Sequence, residues 1–279
     1  MTDWKNCLLA AAVLLLSGCG GLNPVASESM AREAGSAGTF DTADAMRPGS
    51  ASVIERALAT SRRSPEDRAR DESRHASAVL SFFGIAPGMS VIDLYSGGGY
   101  YSELLAYVVG PSGHVVAHNS PPFQQRAQRE MAVRYQPGRL ENVEQLLADN
   151  NDLKLPAERF DAALIILAYH DLYYVNEAEG VPPTNVPRLL GEIYRSLKPG
   201  GVLGVVDHAA VPGSPADTGA SLHRIDEALV RSQLTAAGFL FEAQSEILRN
   251  PDDDRTRLPF SPDLRGRTDR FVLRFRKPW

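Results

Sequence analysis

Residues able to do chemistry stand at the ends of apolar runs in this chain. Val91-Ile92 leads into Asp93, and the run near Val115 closes on His118-Asn119. Val143–Leu147 leads to Asp149, Phe160–Ala168 to His170-Asp171, and Val202–Val206 to Asp207-His208. A sequence built only to pack has no need of an acid, amide or imidazole at each of these places. Carboxylates and imidazoles together can take up and return a proton. Acids and amides can hold ligand hydroxyls through hydrogen bonds. Just after the first set comes Tyr95-Ser96-Gly97-Gly98-Gly99. Glycines free the backbone for positive φ and let a ligand reach the main chain with no Cβ in the way. A helical pattern follows at once (Leu104, Leu105, Val108, Val109) and stops at Gly110-Pro111. Its first N–H groups would face that ligand.

The elements that must position these residues alternate in kind. Strand patterns are read near Val91, at Gly113–His118, Val143–Leu147, Phe160–Ala168, Val202–Val206, Phe239–Leu248 and Arg270–Arg276. Helical patterns are read at Ser52–Ala59, Ser64–Phe83, after Gly99, and at Gln124–Arg134, Pro187–Leu197 and Asp226–Ala237. Ser64-Pro65-Glu66-Asp67 supplies a cap, a first-turn proline and acids at the positive end of a helix. This alternation predicts an α/β fold, a Rossmann-like doubly wound and mostly parallel sheet. Ligands of such sheets bind outside the carboxyl ends of the strands, where the acids and histidines stand.

Composition excludes several classes. The formal net charge of −5 leaves no basic footprint for nucleic acid. No Gly-Lys-Ser/Thr follows the glycines, which excludes a phosphate-binding P-loop. The only cysteines are Cys7 and Cys19. Leu8–Leu16 is an apolar run too short to span a bilayer, and Leu16-Ser17-Gly18-Cys19 resembles a bacterial lipobox. That resemblance implies a signal peptide over residues 1–18, lipid on Cys19, and a chain anchored in the cell envelope facing the periplasm. Gly20 after the cysteine favours the outer membrane. Residues 19–50, rich in Ala, Ser and Gly, read as a flexible tether. Residues 51–279 are the expected folded domain. Nothing in the pattern fixes an oligomeric state.

The spacing from Asp93 through Gly97 and Gly99 resembles motif I of class I S-adenosylmethionine-dependent methyltransferases. Leu197-Lys198-Pro199-Gly200-Gly201 resembles the turn before their fifth strand, and Leu155-Pro156 with Arg159-Phe160-Asp161 the approach to the fourth. Bacterial predicted methyltransferases of the envelope type are similar in four further runs. These are Tyr169-His170-Asp171, Val205-Val206-Asp207-His208, Leu222-His223-Arg224-Ile225-Asp226 and Arg249-Asn250-Pro251-Asp252-Asp253. The resemblance implies seven strands with the last antiparallel, and S-adenosylmethionine as cofactor. Asp93, Tyr95, Gly97, Gly98 and Gly99 would form the turn beside its methionine part, Asn119 would face the ribose, and Asp149 the adenine. Tyr95 stands where the pattern has glycine, and Asn119 where it has an acid.

Two functions follow. One is methyl transfer to a small or lipid-like acceptor, with His170, Asp171 and His208 as the catalytic candidates. The other is an exported binding lipoprotein that keeps the fold without methyl transfer. His170, His208 and His223 with Asp171 and Asp207 lack short ligand spacing such as His-x-x-x-His, so no metal centre is expected. The segment Asn250–Thr268 far exceeds an ordinary hairpin connection and is expected beside His170 as a lid. Asp252, Asp253, Asp254, Arg255 and Arg257 would then line the acceptor pocket.

Overall fold

The computed structural model describes residues 48–279. The expected signal peptide, Cys19 and the tether up to residue 47 lie outside the described residues. Fifteen helices and strands follow, joined by turns and short 3-10 segments. The first part of the chain gives α1 (Pro48–Ala59), α2 (Pro65–Arg74), α3 (Ala76–Phe82), β1 (Ser90–Leu94), α4 (Tyr100–Val109), β2 (His114–Asn119), α5 (Pro121–Arg134) and β3 (Val143–Leu147). The second gives β4 (Phe160–Ile166), α6 (Val186–Ser196), β5 (Leu197–His208), α7 (Thr218–Leu222), α8 (Glu227–Ala236), β6 (Leu240–Ser245) and β7 (Arg270–Arg276). Among the described residues no helix is long and apolar enough to cross a membrane.

The strands form one sheet in the order β3-β2-β1-β4-β5-β7-β6. All neighbouring pairs are parallel except those made by β7, which runs antiparallel to both β5 and β6. The strand order reverses between β1 and β4, and that reversal opens the crevice in which sheets of this kind take a ligand. Alternate residues along each strand feed two cores. Val91, Val115, Leu164 and Val206 pack with α1, α3 and α4 on one face, and Ile92, Val116, Ile165 and Val205 with α6 and α8 on the other. Burial on both faces explains why these strands read as near-continuous apolar runs.

Several boundaries differ from the sequence pattern, each for a local reason. The helix expected over Ser64–Phe83 is two helices broken at His75, whose φ of 43° is left-handed. His75 caps α2 through its N–H to the carbonyls of Asp71 and Glu72. Asp71 is held in turn by Arg63 and by the Tyr100 hydroxyl. The fourth strand stops at Ile166 because Leu167 turns left-handed at φ 57°. α5 starts at Pro121, since prolines in a first turn have no N–H to leave unpaired.

Gly204 in β5 allows the helical layer to come close. A Cβ there would lie 2.8 Å from both the Phe83 ring and a Leu164 methyl. Overpacking of this kind costs about 1–3 kcal/mol. Gly204→Val should therefore lower unfolding free energy by about that amount in urea titration; an unchanged midpoint would show that Phe83 moves freely aside.

Candidate active site

The crevice has two ends, and the glycine turn makes the first. Asp93 is buried and accepts a 2.6 Å hydrogen bond from Ser102 Oγ, which staples β1 to α4. Burial pushes its carboxyl up to about 6, with Ser102 and the Arg74 charge opposing the shift. Asp93 thus positions the turn and is not turned toward a ligand. Tyr95 keeps the positive φ (57°) of the glycine it replaces, a conformation that costs an L-residue about 1–2 kcal/mol. Its ring packs edge-on against His118 and Phe123, with centroids 5.6 and 5.8 Å away.

The three glycines differ in what surrounds them. Gly97 has φ 55°, and a Cβ built there meets nothing within 4 Å. A Cβ at Gly98 would run into Glu130, and one at Gly99 into Arg134 and the Tyr135 hydroxyl. Gly99 and Gly98 therefore face α5 and the residue after it, and Gly97 alone of the three opens to free space. Asn119 is also turned inward. Its Oδ1 accepts from Gly97 N–H at 2.9 Å, and its amide donates to the Gly97 carbonyl and Ser96 Oγ at 3.0 and 3.1 Å. This side chain shapes the turn from behind, whereas a ribose contact requires it to face outward. Asp149 is partly buried after β3 and accepts the Asn151 N–H at 2.8 Å.

Two buried polar atoms around these strand ends have no hydrogen-bond partner among the described residues, His118 Nδ1 and Asn150 Oδ1. A buried polar group left unpaired costs about 1–3 kcal/mol. Such atoms beside an open glycine and Asp149 fit a polar, nucleoside-bearing ligand.

The second end is built by β4, β5 and α7. Beyond Leu167 the chain enters a 3-10 turn, His170–Tyr173. Asp207, wholly buried at the end of β5, holds that turn through its two oxygens. Oδ2 accepts the His170 backbone N–H at 2.8 Å, and Oδ1 lies 2.7 Å from His170 Nδ1 and accepts the His208 N–H at 2.7 Å. Asp207 thereby fixes the imidazole's tautomer and leaves Nε2 as its working nitrogen. Nε2 lies 3.5 Å from Asp171 Oδ1, and the same oxygen lies 3.6 Å from His223 Nδ1. Burial alone would lower the His170 imidazole, but Asp207, with Asp171 beyond it, pushes it up to about 8. Burial and the charges of His170, Arg270, Arg224 and Arg74 hold His208 well below the usual range. His208 Nδ1 pairs with Thr268 Oγ1 at 2.7 Å, so His208 backs the site from the side.

His223 arrives from far along the chain. It caps α7 in the left-handed region (φ 50°), and a Cβ at Gly219 would strike the His170 carbonyl, so only glycine lets α7 dock there. Its neighbour Arg224, fully buried, donates to both oxygens of Asp253 at 2.9 and 3.0 Å and to the carbonyls of Ala209 and Arg257. Burial would raise the Asp253 carboxyl, but Arg224 and the N–H groups of Asp269 and Arg255 hold it below the usual range. Breaking a buried pair of this kind typically costs about 3–5 kcal/mol.

The long segment Asn250–Thr268 lies where expected. Phe260 meets the His223 ring edge-on at 4.9 Å, and the His223 and His170 rings are 5.2 Å apart. Its arginines, however, pair with carboxylates of their own neighbourhood, Arg255 with Asp269 and Arg257 with Asp263. Asp253 is a strut, not a pocket lining.

Of the expected catalytic residues, His170 and Asp171 come together, while His208 stands to one side. Asp207, His223, Arg224 and Tyr174, which stacks on His223 at 6.3 Å, complete the centre. His170, Asp171 and His223 each offer a ligand atom, and these atoms lie within 4.8 Å of one another. Sequence spacing hid the cluster because α7 docking, not a helical repeat, closes it. Tyr95 is within reach of the charges at both ends: burial, then Asp171 and Asp149, raise its hydroxyl well above its ordinary value, with Thr184 opposing the shift.

Residues 92–205 match the family described as a methyltransferase domain. The chain is 31% identical over 138 residues to a ubiquinone/menaquinone biosynthesis C-methyltransferase, UbiE, of Hydrogenovibrio crunogenus, covering 50% of this chain and 48% of that one. It is 29% identical over 137 residues to an arsenite methyltransferase of Halobacterium salinarum, covering 49% and 32% respectively. The chain thus spans about half the length of the first relative or less of the second. An S-adenosylmethionine-dependent methyltransferase structure from Aquifex aeolicus superposes with a TM-score of 0.52 at 22% identity, covering 81% of this chain and 97% of that one. The fold is therefore the Rossmann-like methyltransferase fold.

The raised Asp93 carboxyl gives a pH dependence. A folded-state value above the unfolded one means that the native state binds the extra proton, so the Asp93 contribution to stability is full below about pH 4 and is lost as pH rises through about 6, opposite in sign to the contributions of Asp67 and Asp253, whose carboxyls are held low. Two units correspond to about 3 kcal/mol. Asp93→Asn keeps an acceptor for Ser102 and should remove this fall, leaving the variant more stable than the parent at pH 7 in urea titrations. A parent whose stability rises between pH 4 and 6 while the variant follows it would contradict the assignment.

Proposed function

We propose that the chain transfers the methyl group of S-adenosylmethionine to a small acceptor bearing a phenolic or enolic hydroxyl. The observation that carries this is that two unlike groups of residues stand at the carboxyl ends of neighbouring strands of one sheet. At one end an open glycine and unpaired polar atoms suit the cofactor, and at the other an Asp-fixed histidine centre suits a protonated acceptor. Bound S-adenosylmethionine supplies an electrophilic methyl group for an in-line displacement.

The chain's own residues then have separable tasks. Gly97 gives the cofactor's methionine part access to the main chain, and Asp149 with Asn150 faces the adenine. Tyr95 forms the floor between the ends. The His170–Asp171–His223 centre receives the acceptor's hydroxyl and takes its proton. Tyr174 and Phe260, both packed on His223, offer aromatic surface to a planar acceptor. Alignment supplies most of the rate in such a displacement, so the strain at Tyr95 and Leu167 serves positioning.

The relatives favour one acceptor type over another. Arsenic(III) seeks thiolates, as soft metals do, and the chain has no cysteine after Cys19. A quinol has the hydroxyl that the histidine centre suits, and its lipid-like tail suits the anchoring at Cys19 that we also propose.

The test is calorimetric binding of S-adenosylhomocysteine, then turnover with a soluble hydroquinone. Micromolar binding is expected in the parent. Gly97→Val should abolish it, because the branched side chain enters the open space and strains a positive φ. Gly110→Ala, at another positive φ facing open space, should bind normally. Equal binding by Gly97→Val and the parent would place the cofactor elsewhere.

A further inference from the structure

The histidine centre has the composition of a metal site as well as that of a proton acceptor. Three of the chain's six histidines gather here. His170 is 3% exposed, with Nδ1 held by Asp207 and Nε2 directed at Asp171 without a hydrogen bond. Metal-ligating histidines characteristically give their second ring nitrogen to a carboxylate, which fixes the ring and raises its basicity. Asp207 does this for His170, and a third oxygen contact to the His208 N–H leaves Asp207 no freedom to turn.

The distances suit a cation. Ligand bonds of about 2.1 Å in a tetrahedral site put neighbouring ligand atoms about 3.4 Å apart. The two edges at Asp171 measure 3.5 and 3.6 Å, and the whole set lies within 4.8 Å. His223 is the ligand able to close the remaining gap, since its side chain is a quarter exposed and makes no hydrogen bond among the described residues. Two imidazoles and one carboxylate select a divalent transition ion over magnesium or calcium, which prefer all-oxygen sites.

We propose that His170, Asp171 and His223 bind a divalent transition-metal cation, with Asp207 as the positioning residue behind His170. Three protein ligands leave at least one position open, and Phe260 and Tyr174 pack on the His223 ring beside the cluster. That position takes the acceptor's hydroxyl oxygen, so the proposal deepens the assignment of this end to the acceptor and rests on it. A coordinated hydroxyl loses its proton more readily than a free one; with the cation bound, that proton passes to bulk water, the oxygen stays on the cation, and His170, Asp171 and His223 act as ligands in place of the base.

The experiment is titration of Zn2+ into the full chain, purified without a histidine tag and stripped with chelator, with Co2+ visible absorption as a second readout. One Zn2+ per chain is expected. His223→Ala and Asp171→Asn, both changed at partly exposed side chains, should weaken binding by at least about tenfold and lose the Co2+ bands, and Asp207→Asn should weaken it about 10–100-fold. His114→Ala, outside the centre, should bind as the parent does. Absence of stoichiometric binding, or a site that survives in His223→Ala because Cys7 or Cys19 holds the ion, overturns the proposal. S-adenosylhomocysteine titrated into the same samples separates the two assignments. Zinc binding without nucleoside binding supports the metal site and contradicts the cofactor assignment, and nucleoside binding without zinc overturns the metal site alone.

Discussion

The Asp207 carboxylate is the constraint on which the rest of the centre depends. It is wholly buried at the end of β5, within an apolar sheet. A buried polar group is tolerable only when its hydrogen-bonding capacity is met, and here two backbone N–H groups and one imidazole meet it. The same bonds tie β5 to the turn after β4, orient His170, and raise its affinity for a proton. Stability and chemistry are therefore not separate features at this position. Whatever holds the carboxylate also aims Nε2 at Asp171.

A second buried charge pair does for the loops what Asp207 does for the strands. Arg224 lies immediately after His223 and reaches Asp253, together with two loop carbonyls. Two segments separated by some thirty residues are thus fixed to one another directly beneath the site. The strap Asn250–Thr268 is long but well anchored, with Asp253 and Thr268 each bonded to the centre's neighbours. Phe260, at 60% exposure, carries the strap's aromatic surface onto the His223 ring. At the other end Tyr95 holds a strained backbone in exchange for a rigid aromatic floor, packed between His118 and Phe123.

The sheet was legible because buried parallel strands write themselves as apolar runs, and because ligand-facing acids cannot be explained by packing. The long segment after β6 was legible too, since an antiparallel last strand must start on the ligand face. Orientation of side chains was not legible. Asn119 sits where a ribose-holding acid is expected, but no pattern of residue types reveals that its amide closes onto Gly97 from behind. Gly99 and Gly98 look equivalent to Gly97 until α5 is seen filling the space beside them. The break at His75 was hidden because an αL histidine interrupts a continuous helical stripe. Arg224 and Asp253 each stood within a motif, yet nothing in either motif names the other as partner. His223 and Gly219 belong to the site through docking of one short helix, which sequence spacing does not encode.

The most direct test is a crystal structure of the chain with S-adenosylhomocysteine. The nucleoside should lie over Asp149 and Asn150, with the chain end at Gly97 and the thioether sulfur turned across Tyr95 toward Asp171 and His223. A nucleoside found instead in the separate hollow between α5 and β3, lined by Gln124, Gln128, Met131 and Gln145, would contradict the two-ended crevice on which the proposed reaction stands.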